Sequence, residues 1–169
     1  MTRDTGNQTE RMVVTRVFDA PRALVWKAWT DPNYVMQWWG PQGFTSPVCK
    51  MDFRVGGKFL YCMRAPDGQE FWNGGEYHEI ILHEKIVSSM YFSDPEGNRV
   101  EPVHYGIEHE AIEGAHDVIL FEDLGNGQTK ITFIGNETME NATKSGQVEG
   151  MNQILDKAAA VVAGLTQAK

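Results

Sequence analysis

Several groups of residues have types and spacings that could do chemistry. In EFWNGGEYHEIIL, residues 70 to 82, Glu76 and His78 fall on one face of a strand under plain alternation. Facing inward they would be a cavity acid and base; facing outward they are a solvated pair. In CKMDFRVGGKFLYCM, residues 49 to 63, Asp52 and Arg54 are either an outer ladder pair or a charged anchor beside a pocket. HEAIEGAH places His109, Glu113 and His116 at i, i+4 and i+7, one face of a helix with zinc-type ligands. Gly114 interrupts that face, the histidines miss the H-E-x-x-H spacing, and Pro102 and Gly106 upstream argue for a loop. No metal site and no cofactor are expected. Nucleophilic catalysis has no G-x-S-x-G elbow, and VGGKF lacks the G-x-x-x-x-G-K-[ST] pattern of a phosphate loop.

The aromatic segment YVMQWWGPQGFTSP, residues 34 to 47, sets Tyr34, Trp38, Trp39 and Phe44 among Gly40, Pro41 and Gly43. On a helix, Trp38 and Trp39 point about 100° apart, so they cannot face the same way. Two readings are open: both tryptophans plug a core, or the segment forms one rim of a pocket, with one ring at its mouth. Trp38 lies four residues after Tyr34 and should share its face.

The hairpin between Cys49 and Met63 can pair in two ways. A two-residue loop at Gly56-Gly57 pairs Arg54 with Phe59 and Asp52 with Tyr61. A three-residue loop, 55 to 57, pairs Phe53 with Phe59 and Met51 with Tyr61. The second gives one face made of Cys49, Met51, Phe53, Phe59, Tyr61 and Met63. Burial favours it, because a one-residue slip exchanges the two faces of a strand.

These residues need elements to position them. RMVVTRVFDA alternates as a first strand. DAPRALVWKAWTDPNYVMQWWGP reads as two short helices, with Pro21 and Pro32 at their starts and Asp31 as the cap of the second. Strands are expected over 45–55, 58–65, 70–80, 83–92, 116–124 and 128–136, joined by short antiparallel turns. Gly74 and Gly75 suggest a bulge or a close backbone approach. Residues 93 to 115 form a long insertion whose glycine and charge content suits a mobile segment. NATKSGQVEGMNQILDKAAAVVAGL, residues 141 to 165, reads as one helix of about six turns. Val148, Met151, Leu155, Ala158 and Val162 form its apolar stripe, and Lys157 opposes it. Such a helix needs a broad surface, which a curved antiparallel sheet supplies, so the fold class is α+β.

The 169 residues fit one domain, taken as 10 to 165 after a polar flexible tail over 1 to 9. Charged content of 22% and hydrophobic content of 41% are those of an ordinary globule. A net charge of −8 disfavours nucleic acid as a partner. No apolar run approaches the roughly 20 residues of a membrane span, and the start lacks an apolar signal core. A cytoplasmic location, with Cys49 and Cys62 reduced, is therefore expected.

The order of elements resembles the START-like (SRPBCC, helix-grip) superfamily. DAPRALVWKAWTDP, WWGPQGFT, MDFRVGGKF, GGEYHEI and FEDLGNGQTKITF are similar to the family of homologues of the activator of the 90-kDa heat-shock chaperone ATPase. The resemblance implies a curved sheet of about six to seven strands wrapped around a long C-terminal helix, with a cavity between them. It implies one of three functions: a small hydrophobic or amphipathic ligand (lipid, sterol or polyketide-like) held in that cavity, an interaction with the chaperone, or a cyclase or hydrolase using the same cavity. Ligand binding is the leading expectation, with a monomer or homodimer as the assembly. Apolar walls are expected from Trp38, Trp39, Phe53, Phe59, Tyr61, Trp72, Tyr77, Met90, Phe92, Phe121, Phe133, Met151, Ile154 and Leu155. Arg54, Glu76, His78 and Tyr61 are the candidate orienting groups. Many relatives carry Gly-Trp in the terminal helix where this chain has Gly150-Met151, which implies a softer wall or a different ligand.

Overall fold

The computed structural model describes residues 11–107 and 116–167. The expected tail over 1 to 9, and His109 and Glu113 of the metal test, lie outside the described residues. The elements run β1 (Arg11–Phe18), α1 (Arg22–Thr30), α2 (Pro32–Trp38), β2 (Thr45–Met51), β3 (Lys58–Arg64), β4 (Glu70–Ile81), β5 (Lys85–Ser93), a 3₁₀ turn (Pro102–Tyr105), β6 (Asp117–Gly125), β7 (Gln128–Thr138), α3 (Met139–Lys144) and α4 (Gln147–Gln167). The strands form one seven-stranded antiparallel sheet in the order β1-β7-β6-β5-β4-β3-β2. The fold is α+β: a curved sheet, a long C-terminal helix, and two short helices after the first strand.

The local chemistry explains the elements. Met12, Val14 and Phe18 turn inward along β1 at period two, and Arg16 shares their face. Asp31 caps α2 by accepting from the Asn33 backbone N–H at 2.9 Å, with Pro32 following it. The Trp38 indole donates to the Ala28 carbonyl at 3.0 Å, which fixes the angle between α1 and α2.

The terminal helical segment differs from the single helix expected. It breaks at Ser145-Gly146, where Gly146 has a φ of +84° that few other residues adopt. Thr138 caps the short α3, accepting from the Asn141 N–H. The bend lets α3 turn off the end of β7 before α4 crosses the sheet.

The hairpin register also differs. Met51 pairs with Phe59 and Cys49 with Tyr61, two residues away from the favoured pairing. The face is the expected one, because a shift of two preserves alternation. The loop is longer because residues 52 to 57 fold on themselves: the Arg54 N–H donates to Asp52 O and the Gly57 N–H to Arg54 O. The loop then pairs with β4 through Gly56 N–H to Tyr77 O and Tyr77 N–H to Gly57 O.

Gly74 and Gly75 carry no bulge; the register of β4 shifts between Tyr77 and Glu79. Both glycines are instead close approaches. A Cβ on Gly75 would lie 2.1 Å from Phe59 Cζ, and one on Gly74 would lie 3.0 Å from Tyr91 Cε1. β5 begins at Lys85 rather than 83, because His83 takes a left-handed turn conformation with its ring against Trp26.

Candidate functional site

The concave face of the sheet carries Phe59 and Tyr61 from β3, Asn73 and Tyr77 from β4, and Met90 and Phe92 from β5. Phe121 of β6 and Phe133 of β7 continue it. From α4, Ile154 and Leu155 are buried and Met151 half-buried against the same core. Phe53 reaches it from the β2–β3 loop and Trp39 from the end of α2.

The rings form a closed circuit. Trp29, Trp38, Trp39, Tyr61, Phe59, Tyr77, Phe53, Trp26 and Phe121 follow one another and return to Trp29, with successive centroids 4.6 to 6.3 Å apart. Most contacts are edge-on or tilted, the arrangements the ring quadrupoles prefer. Trp38 belongs to the core half of this circuit, 4% exposed and bonded to Ala28. Trp39 is half-buried and packs on Tyr61. The two tryptophans thus divide between plug and inner wall. Tyr34 lies under the Lys27 ammonium, 5.8 Å from its ring centroid.

Burial is uneven along α4. Leu155, Ala158 and Val162 are fully enclosed, whereas Val148 and Met151 nearer its start are only partly so. The main backbone approaches of α4 are to α1, α2, α3 and β1 rather than to the central strands. Facing that stretch, Cys49, Met51, Met90, Phe92, Ile119 and Phe133 are likewise half-buried apolar residues. An apolar band thus remains on the concave face where the helix does not press on it.

Two polar atoms in this interior have no partner among the described residues: Trp39 Nε1 and the Tyr77 hydroxyl. Burial raises the ionisation of Tyr61 and Tyr77 well above that of an ordinary phenol, and the Cys49 thiol is pushed up to about 12. The two hydroxyls interact, which raises Tyr61 further and partly offsets the rise of Tyr77, and Tyr77 Oη has no partner at ordinary hydrogen-bond geometry among the described residues. The cations on the inner side are engaged. Arg16 pairs with Asp156 at 2.7 Å and donates to Asn152 O. Lys157, its pKa lowered by burial, donates to the carbonyls of Gly40, Pro41 and Phe44.

Four of the expected site residues stand elsewhere. Arg54 lies on the surface, paired with Asp52 at 2.9 Å. Glu76 and Trp72 take the outer face, opposite in alternation to Asn73 and Tyr77. Glu76 pairs with Lys58 at 3.6 Å. His78 occupies the register shift of β4 and is exposed, bonded to Ser89 Oγ at 2.9 Å and stacked on His116 at 4.1 Å. The structure therefore brings no acid–base pair from Glu76 and His78 into the interior. Asn73, 8% exposed, is an inner-face residue the sequence reading left out, although alternation from Tyr77 places it there.

Two surface depressions lie outside the grip. One, about 450 Å³, runs between Tyr34, Gln37 and the Lys157–Leu165 stretch of α4. The other, about 340 Å³, lies at Lys50, Leu60, Tyr91 and Gly97 on the outer face. Among the described residues, no set of three or more His, Cys, Asp or Glu could hold a metal ion, and no helix is long and apolar enough to cross a membrane.

The curved sheet, its partly covered apolar inner face and the long terminal helix define a helix-grip, START-like (SRPBCC) protein. The chain belongs to the family described as Activator of Hsp90 ATPase homolog 1-like protein, whose sequence profile matches residues 19–163. Among curated protein sequences none matches. Solved structures with the same fold include a protein from Arthrobacter aurescens, 24% identical, covering 96% of this chain and 90% of that one with a TM-score of 0.74. A protein from Chromobacterium violaceum is 25% identical, covering 89% and 95%, with a TM-score of 0.69. An AHSA1-like protein from Aeromonas hydrophila is 19% identical, covering 92% and 94%, with a TM-score of 0.62.

Proposed function

We propose that this protein binds, in the cytoplasm and without covalent chemistry, a small hydrophobic or amphipathic molecule of lipid, sterol or polyketide-like character. The site is the inner face of the sheet beneath the first half of α4. One observation carries the reading: on the inner face Cys49, Met51, Met90, Phe92, Ile119 and Phe133, with Met151 of α4, stay half-buried beside the fully buried Phe59, Tyr61 and Tyr77. Burying such a band removes apolar surface from water, worth about 25 cal/mol per Å². Methionines at 51, 90 and 151 can reshape to fit a guest, being unbranched and flexible.

Thermal unfolding against a panel of fatty acids, sterols and aromatic polyketides tests the reading. A ligand at 100 times its Kd stabilises by about 2.7 kcal/mol. Each kcal/mol moves the midpoint of a chain this size by roughly 2–4 °C, so a binder raises it by about 5–10 °C. A flat panel, together with stimulation of a 90-kDa heat-shock chaperone's ATPase, would replace this reading with that of an interaction module.

A further inference from the structure

We infer that the guest of this inner face is an uncharged molecule carrying an acceptor oxygen, a ketone, lactone or ether, and that Trp39 Nε1 and the Tyr77 hydroxyl are the donors that read it. The inference rests on the proposed binding function and specifies its chemistry.

Buried polar atoms without partners are rare in folded proteins, and each costs the desolvation of its group. Here two occur together. Trp39 packs on Tyr61, Tyr61 on Phe59 and Phe59 on Tyr77, with successive centroids 4.9 to 5.1 Å apart. The rings that carry the two orphaned atoms therefore stand on either side of a single pair of neighbouring rings on β3. An indole N–H can only donate, so the group that satisfies Trp39 must accept. A phenol donates as readily, so acceptor oxygens on one skeleton can satisfy both.

The charge of the guest follows from what surrounds these donors. A carboxylate taken out of water needs a cation. The inner-face cations are already committed: Arg16 to Asp156 and Asn152, and Lys157 to three carbonyls. Arg54 and Lys58 lie on the surface in pairs of their own. A neutral oxygen faces none of this penalty, and an ionised fatty acid faces all of it.

Benzophenone, its hydrocarbon counterpart diphenylmethane and the acid diphenylacetate are matched probes of the idea, with binding followed by calorimetry. Benzophenone should bind about tenfold more tightly than diphenylmethane, as expected for one or two added hydrogen bonds. Diphenylacetate should bind weakest. The ketone preference should fall several-fold in Tyr77→Phe and in Trp39→Phe. Equal binding of ketone and hydrocarbon would leave the binding function standing and overturn the inference. Tighter binding of the acid would overturn it too.

A second measurement needs no ligand. If Tyr77 Oη is unpaired in the free protein, Tyr77→Phe removes a buried orphan and raises the unfolding midpoint by about 2 °C or more. A fall of that size would show the hydroxyl already bonded within the fold. That result overturns the inference without touching the binding function, whereas failure of all three probes alongside a flat ligand panel overturns both.

Discussion

Lys157 Nζ lies 2.9 Å from the carbonyl oxygen of Gly40, and this contact ties the terminal helix to the loop that follows the paired tryptophans. The same ammonium donates to Phe44 O at 3.1 Å and Pro41 O at 3.3 Å. One turn earlier, Gln153 Oε1 accepts from the Gln42 N–H at 3.1 Å. The loop carrying Gly40, Pro41 and Gly43 is thus fastened to α4 by side chains that sequence alone places on the helix's polar side. Because Trp39 directly precedes Gly40, the fastening also sets where the Trp39 ring sits on Tyr61.

Lys157→Met keeps the aliphatic stem and removes the donors. A hydrogen bond to a charged group contributes about 1.5–3 kcal/mol, and partial exposure places this one at the lower end. The midpoint should drop by roughly 3–6 °C. Trp39 emission should shift to the red as the ring loosens. A variant with unchanged midpoint and unchanged emission would show Lys157 to be a passive surface charge.

Gly75 has a different duty. Its missing Cβ leaves room for the Phe59 ring, and an added Cβ would also fall 2.2 Å from Ser89 O. Backbone cannot move aside as a flexible side-chain end can, so Gly75→Ala should cost about 1–3 kcal/mol or more, the cost of overpacking. Phe59→Leu in the same chain should recover only part of that loss, since it frees the ring contact but not the carbonyl. Urea unfolding of the two variants and their combination checks the claim; full recovery would mean that the Ser89 carbonyl yields.

How far the sequence speaks for the fold can be judged from these elements. Alternation found every strand of the sheet, because each strand has one covered face. It also found the inner face of the 49–63 hairpin, since Cys49, Met51, Phe59 and Tyr61 are apolar at period two. It missed the pairing by two residues. The loop at 52 to 57 is held by backbone bonds to itself and to Tyr77, which no side-chain pattern reports. Gly146 could have marked the break before α4, but helical periodicity on both sides of it hid the interruption. At the site, alternation sets Tyr77 on one face of β4 and Glu76 and His78 on the other; which of those faces lies inward depends on which one the helix covers. The orphaned Trp39 Nε1 has no sequence signature at all; it follows from what does not approach the ring.

Arg16 and Asp156 join β1 to the middle of α4 across the inner side. Asp156 is well exposed and Arg16 only 25% so, which makes the pair an unequal one. Exposed pairs contribute about 0.2–1 kcal/mol in double-mutant cycles. Asp156→Asn should therefore lower stability by less than about 1 kcal/mol, and the coupling should shrink in 1 M salt. Arg16→Met should cost more than Asp156→Asn, because it also strips a donor from Asn152 O, 3.2 Å away. Equal losses for the two single variants would mean that the ion pair alone matters.

Cys49 offers a test of how dry the inner face is. Burial raises its thiol from an ordinary 9.0 to about 12. The native state therefore keeps a proton that the unfolded chain releases above about pH 9. Stability from this group is fully present below pH 9 and is lost as pH rises toward 12, with a slope of at most about 1.4 kcal/mol per pH unit. Tyr61 and Tyr77, raised in the same direction by burial, steepen the loss above pH 10. Cys49→Ala should flatten the stability curve between pH 9 and 10 and leave it unchanged at pH 7 apart from a constant offset. The same shift predicts slow chemistry at the sulfur. At pH 8 the thiolate of Cys49 is much scarcer than that of a free cysteine, and the greater nucleophilicity of a high-pKa thiolate offsets only part of this, so alkylation of the folded protein should be markedly slower. Cys62, inaccessible to solvent and raised to about 11, should not react faster. The two thiols cannot relieve each other by pairing, because Cys49 sits opposite Tyr61 and its side chain points to the other face of the sheet from that of Cys62. Rapid stoichiometric alkylation at Cys49 in the folded protein would mean that water reaches the inner face freely, and the alkaline limb would then lack its thiol contribution.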